Sequence, residues 1–174
     1  MPIYEFEGKR PKIHETAFVH PEAVVIGDVS IGSGCYVGAG AVIRGDWGRI
    51  EIGEGSNIQE NCVIHVRQNE TSILGPSSHI GHGAILHGPK LGTHVLVGMK
   101  AVIHDEVELG DEVIVGSGAV VLEGMKVPPR KIVVGVPAKI AGDVTNKLAS
   151  LRDRATKMYQ GLPPRCHASL KRIG

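Results

Sequence analysis

The chain has 174 residues, 24 of them glycine, with a formal net charge of +1. That is enough for one domain with a continuous core. With aromatics at 3% the core must be aliphatic, unlike the usual sandwich or helical bundle of this length. No Lys/Arg block offers itself to nucleic acid or to an anionic membrane. No apolar run of about 18 residues exists to span a bilayer. The start, Met1-Pro2-Ile3-Tyr4-Glu5-Phe6, lacks the basic-then-apolar pattern of a signal peptide, so a cytoplasmic protein is expected. Cys35, Cys62 and Cys166 are odd in number and far apart, which argues against a disulfide framework and against a thiolate zinc site.

Along the chain an aliphatic residue followed by glycine recurs about every sixth position. It appears at Ile26-Gly27, Ile31-Gly32, Val37-Gly38 and Ile52-Gly53, and resumes at Ile80-Gly81, Leu91-Gly92, Val97-Gly98, Leu109-Gly110 and Val115-Gly116. Ile43, Ile58, Ile64, Ile85, Ile103, Val121 and Val127 keep the beat without the glycine. A period of six fits neither an amphipathic helix nor a hairpin strand. It fits an all-β solenoid, a parallel β-helix of hexapeptide repeats in which three short faces close a coil of about 18 residues. Each aliphatic residue points inward and stacks on the coils above and below, so stability comes from stacking many units. The glycine is expected at a tight corner, where φ > 0 or close backbone approach is needed.

Two stretches break the beat. Arg44-Gly45-Asp46-Trp47-Gly48-Arg49-Ile50 follows Ile43, and a polar run from Val66 to Ser78 follows His65. Insertions in a solenoid become loops, often on the functional side. Residues 1–140 are therefore read as the β-helix, with active-site loops near 44–50 and 66–78. Residues 141–174 are read as a C-terminal α-helix and tail. There Thr145 is the expected N-cap, and Leu148, Leu151, Ala155, Met158 and Leu162 form an apolar stripe. Pro163-Pro164 is expected to stop that helix of about 18 residues, and its stripe should dock on the solenoid or on a neighbouring subunit.

Of nine histidines, His65, His82 and His87 stand out, because three neutral imidazoles and an open position suit a catalytic zinc. His65 follows inward Ile64 and His87 follows inward Leu86, so the two lie one above the other. His82 precedes His87 by nearly one face and falls about 120° around the prism. Within one subunit it points away from the other two. A three-fold trimer would bring one edge of each copy to a different edge of the next. The bland reading, surface filler, suits His14, His20 and His167. His79, His94 and His104 are interface or filler residues, one of which could orient a ligand.

Arg44-Gly45-Asp46, Asn57-Ile58-Gln59, then His65, His82 and His87 resemble the γ-class carbonic anhydrase family in order and spacing. The resemblance extends to Val134-Gly135-Val136-Pro137-Ala138-Lys139. The Met1-Pro2-Ile3-Tyr4 start, Leu96-Val97-Gly98-Met99 and the tail from Tyr159-Gln160 to Ser169-Leu170 look closest to its phenylacetate-degradation and carnitine-operon branch. The resemblance implies a left-handed β-helix and a homotrimer with metal sites shared between subunits. It implies that His65, His82 and His87 ligate Zn2+, with Fe2+ or Co2+ as alternatives. By the same resemblance Gln59 orients the metal-bound hydroxide or the substrate. Arg44 and Asp46 pair at the subunit interface and shape the pocket floor.

The implied reaction is interconversion of CO2 and bicarbonate. Trp47 stands where the archetypal γ enzyme has a catalytic glutamate, and the loop after His65 lacks that enzyme's acidic insertion. Glu60 and Glu70 are the nearest acids, with His79 or Tyr159 as the alternative proton relay. Competing functions are hydrolysis of an acyl-CoA thioester at the same metal, hexapeptide acyl transfer with one histidine as general base, and a metal-free structural subunit.

Overall fold

A computed structural model describes residues 2–174, and Met1, the first residue of the quoted N-terminal motif, lies outside the described residues. The chain winds as a left-handed parallel β-solenoid of about seven turns followed by two helices. Each coil has three faces. The first includes the strands Val63–His65, Ile85–His87, Val102–Ile103 and Val120–Val121. The second includes Thr71–Leu74, Lys90–Leu91, Glu108–Leu109 and Lys126–Val127. The third runs from Phe18–Val19 through Asn57–Ile58, His79–Ile80 and Leu96–Val97 to Lys131–Gly135. Ala138–Asp143 then turns back antiparallel on Lys131–Gly135 and ends the stack.

The interior is the expected aliphatic ladder. On the first face Ile43, Ile64, Leu86 and Ile103 pair in successive coils, and each is fully buried. Leu74 and Leu91 on the second face, and Ile58, Ile80 and Val97 on the third, converge on the same axis. Smaller residues such as Ala41, Cys62, Ala84 and Ala101 fill the corners. All three cysteines are free, as expected from their spacing.

Two positions of the sequence beat are off by one residue. Val25, not Ile26, points inward, and Leu86, not Ile85, whose side chain is 44% exposed. The glycine after the inward residue is needed for close approach rather than for left-handed backbone. A Cβ on Gly81 would lie 2.7 Å from the Met99 nitrogen of the next coil. Left-handed φ falls elsewhere in the turns, where Asn61, His94 and Lys100 accept it.

The outer surfaces of the faces differ, and the difference positions the site. The second face carries a charged ladder, with Lys90 beside Glu108 and Glu108 beside Lys126. The third is covered by the helices, so that Phe18, Tyr36, Asn57 and His79 are buried. The first is bare and aliphatic: Val42, Val63, Ile85, Val102 and Val120 pair in series along it.

Three expectations are corrected. Residues 44–50 do not form a loop; they continue within the strand Val42–Ile52, which turns a corner while still pairing with Val24–Ile31 and Thr71–Leu74. Buried and outward residues alternate up to Gly45 and again from Gly48, while Asp46 and Trp47 both face outward at the corner, where the pairing with Val24–Ile31 shifts register. In the second stretch Thr71–Leu74 is a strand of the second face, so only the turn around 67–70 leaves the coil.

The helix is the third. Thr145 does cap α1 (Asn146–Gln160), accepting from the Leu148 N–H. But α1 ends before Gly161, and Pro163-Pro164 lies in the first turn of α2 (Leu162–Ser169), where a missing N–H costs nothing. Nor does the whole apolar stripe dock on the chain's own solenoid: Leu148, Ala155 and Leu162 are half-buried and Leu151 and Met158 exposed, while Arg152 and Thr156 are buried. Polar groups on the covered side decide the orientation. Arg152 donates to the Glu112 carbonyl and carboxylate, and Gln160 donates to the Gly55 carbonyl. Neither helix is long and apolar enough to cross a membrane.

Candidate metal centre

His65 and His87 end adjacent strands of the first face and are paired in register, with His65 Nδ1 3.0 Å from His87 Nε2. His82 lies in the turn between His79–Ile80 and Ile85–His87, at the opposite edge of the same face. Among the described residues, no three His, Cys, Asp or Glu side chains of one chain converge as a metal-binding group. The three histidines thus flank the bare aliphatic face, two on one side and one on the other.

Each of the three rests one ring nitrogen on a carboxylate. His65 Nε2 is 3.1 Å from Asp46 Oδ1, His82 Nδ1 is 2.6 Å from Glu60 Oε2, and His87 Nδ1 is 2.6 Å from Asp105 Oδ1. A carboxylate only accepts, so the nitrogen facing it carries the hydrogen and the other nitrogen presents a lone pair. His65 Nδ1 and His87 Nε2 therefore face each other lone pair to lone pair, and neither can donate to the other. A cation, either a proton or a metal, would bridge the two nitrogens. Burial first, and then the Arg44 guanidinium, push the His65 imidazole below its ordinary range, which disfavours the proton. Two nitrogens at this separation can both reach one ion at roughly 2.0–2.1 Å. The donor set fits a divalent metal, in the form that metal-binding histidines usually take.

Arg44 and Asp46 pair at 2.7 Å within the chain. Burial raises the Asp46 carboxyl, but its own backbone N–H, Arg44 and His65 together hold it below the usual carboxylate range. Trp47 packs edge-on against His65 with ring centroids 5.4 Å apart, and its indole is exposed. Tyr159, on α1, places its hydroxyl 3.4 Å from His82 Nε2.

Gln59 is on the His82 side and buried. Its Oε1 accepts from the His82 backbone N–H, and its Nε2 donates to Asn57 Oδ1 and His79 Nε2. Its amide is thus committed to holding the His82 turn. His79, expected as filler or as an orienting group, is a buried strut between Gln59 and Thr156 of α1.

The profile of the family described as bacterial transferase hexapeptide (six repeats) matches residues 10–45 and 88–123. The carnitine operon protein CaiE of Escherichia coli (strain K12) is 45% identical over 170 residues, covering 98% of this chain and 87% of that protein. The chain belongs to the hexapeptide-repeat transferase family. Two solved structures of similar chains have a TM-score of 0.90 and 31% identity. One is a hexapeptide transferase family protein from Anaplasma phagocytophilum, covering 94% of this chain and 96% of that one. The other is a Bacillus cereus protein provisionally titled an acetyltransferase, covering 92% and 94%. The carnitine-operon resemblance read from the sequence is met; none of these descriptions carries the carbonic anhydrase activity.

Within this hexapeptide-repeat protein, sequence reasoning missed Asp105 and Arg67. Asp105 follows His87 by 18 residues, one coil, so the repeat itself could have placed it beneath His87. Glu60 was noticed only as a nearby acid; its bond to His82, and the Tyr36 hydroxyl donating to its other oxygen at 2.9 Å, were not.

Burial, then the neighbouring His82 charge, lower the His79 pKa from 6.5 to about 4. Between these values the unfolded chain binds the proton and the folded chain does not, so stability rises with pH across the window and falls as pH drops from 6.5 toward 4. The whole effect is on the order of 3 kcal/mol. Denaturant midpoints of the wild type and His79→Gln, measured across this range, should diverge, with the variant the flatter. Parallel curves would contradict the strut.

Proposed function

We propose that the chain works as a cyclic trimer that binds a divalent metal on His65 and His87 of one copy and His82 of the next, and that the site hydrates CO2. What carries the reading is that all three imidazoles have one nitrogen on a carboxylate and offer the other as a lone pair, His65 Nδ1 and His87 Nε2 toward each other and His82 Nε2 toward the Tyr159 hydroxyl. A general base would need this once; here it occurs three times. The bare first face supports the assembly, since copies meeting along it would bring the His82 edge of one to the His65/His87 edge of another.

The metal, when bound, brings the pKa of a coordinated water down to about 7. The chain's own groups do the rest. Asp46, Glu60 and Asp105 hold the rings in place. Trp47 walls the His65 side. Tyr159, kept a phenol by burial and by the Glu60 charge, holds a proton at its hydroxyl beside His82.

A second reading is acyl-group chemistry on a CoA thioester, as transfer or hydrolysis. The family description and the names of the two similar proteins support it more directly than they support CO2 hydration. The two separate in one experiment, on protein purified without added metal. CO2 hydration that is lost on chelation and restored by zinc is the expected result. Acyl transfer to an amine acceptor by chelated protein, or acyl-CoA hydrolysis by zinc-loaded protein, with no CO2 hydration in either, would establish the second reading instead.

A further inference from the structure

The turn at 67–70 is the one place where the chain leaves its coil beside the histidines, and it is held firmly. The Asn69 N–H donates to the Trp47 carbonyl at 3.0 Å, and the Arg49 N–H donates to the Glu70 carbonyl at 2.9 Å. From this turn Arg67 extends across the coils below. Its Nε is 3.1 Å from Asp105 Oδ2, its Nη2 2.8 Å from Glu123 Oε1 and its Nη1 3.5 Å from Glu106 Oε1. The other Asp105 oxygen is the one on His87 Nδ1, at 2.6 Å.

We propose that Arg67 is a positioning residue that sets the His87 ring through Asp105, and that the turn exists to deliver it. The proposal rests on the metal reading above. Asp105 is 8% exposed, so an oxygen released by Arg67 would find little water to replace it. With one oxygen on Arg67 and the other on His87, the carboxylate cannot rotate without breaking a charge-assisted bond. The other edge histidine is held by the same sequence of groups: Arg44 on Asp46 Oδ2, and Asp46 Oδ1 on His65. Arg44 shares a strand with Asp46, whereas Asp105 lies in the turn after Val102–Ile103, flanked by His104 and Glu106, and the excursion at 67–70 supplies the arginine.

The plain alternative is a surface clamp, in which Arg67 ties the turn to Glu106 and Glu123. Exposed pairs of that kind contribute little. Glu123→Gln removes the 2.8 Å pair while leaving Asp105 and its arginine untouched, so it distinguishes the two roles.

The test uses the full chain as wild type, Arg67→Ala, Arg67→Lys and Glu123→Gln. Cobalt(II) affinity of chelated protein is read from the visible spectrum, and the His87 Nδ1–H resonance is read by NMR on metal-free protein with isotopically labelled histidine. Arg67→Ala should weaken cobalt binding about 10- to 100-fold, the usual loss for an orienting partner, and should shift or erase the His87 signal. Glu123→Gln should change neither. Arg67→Lys should recover part of the affinity, since an ammonium lacks the planar fork but keeps the charge.

Wild-type affinity and an unmoved His87 signal in Arg67→Ala would overturn the proposal. So would Glu123→Gln weakening cobalt binding as much as Arg67→Ala. A wild type that takes up no cobalt defeats the metal reading alone. The His87 signal then decides: moved in Arg67→Ala it sustains the positioning, unmoved it overturns it.

Discussion

His82→Ala is expected to abolish stoichiometric zinc retention, although His82 touches neither His65 nor His87 within one chain. Removing a ligand should exceed the roughly 10- to 100-fold loss that follows removal of an orienting partner. Its secondary structure and melting should stay near wild type, because His82 is a turn residue with a half-exposed side chain. Its ring contributes bonds only to Glu60 and Tyr159. The check is metal content after desalting, with circular dichroism on the same sample. Zinc retained at the wild-type level would mean that His65 and His87 hold the ion with some other group, and the shared site would fall.

The second large effect is structural. Leu86→Ala should cost about 2–5 kcal/mol of stability, the range for truncating a fully buried Leu. Leu86 is entirely enclosed, with Ile64 stacked on one side and Ile103 on the other. A stacked aliphatic ladder has no side chain free to swing into the gap, so collapse is limited by the coil spacing. Glu108→Ala on the charged second face is the comparison and should lie within about 0.5 kcal/mol of wild type. Denaturant unfolding monitored by far-ultraviolet circular dichroism measures both. A Leu86→Ala loss no larger than that of Glu108→Ala would contradict the stacked core.

The solenoid was legible in the sequence because its signal is one-dimensional: each coil repeats the same inward choice, and Ile43, Ile64, Leu86 and Ile103 restate it. The same logic separated His82 from His87, since five residues along a coil amount to most of a face. What the period could not convey were contacts between turns whose lengths vary. Asp105 sits one regular coil from His87 and was recoverable; Arg67 bonds Glu123 across 56 residues, from a turn that breaks the period.

A lost beat resembles an insertion, yet the first break is a strand and not a loop, and the second holds a loop only at 67–70. Arg44–Ile50 keeps its strand pairing through a corner with small and charged residues, which hydrophobic periodicity does not score. The helix was misread for a related reason. Its apolar stripe was assumed to be the docking side, yet Arg152, Thr156 and Gln160 find specific partners on the third face and Leu151 and Met158 do not. Those exposed apolar residues, like the first face, are compatible with a chain that packs against copies of itself.

The shared site is tested most directly by mixing subunits. His65→Ala and His82→Ala proteins are each unfolded, combined in equal amounts and refolded, and the metal content is compared with that of either parent refolded alone. In a ring where each site takes His65 and His87 from one copy and His82 from the next, a trimer containing both variants has one junction with all three ligands intact. Mixed trimers should therefore hold about one ion against about three in the wild type, while both parents hold none. A mixture as empty as its parents would contradict a site shared between subunits, and metal in the His82→Ala parent would contradict His82 as a ligand.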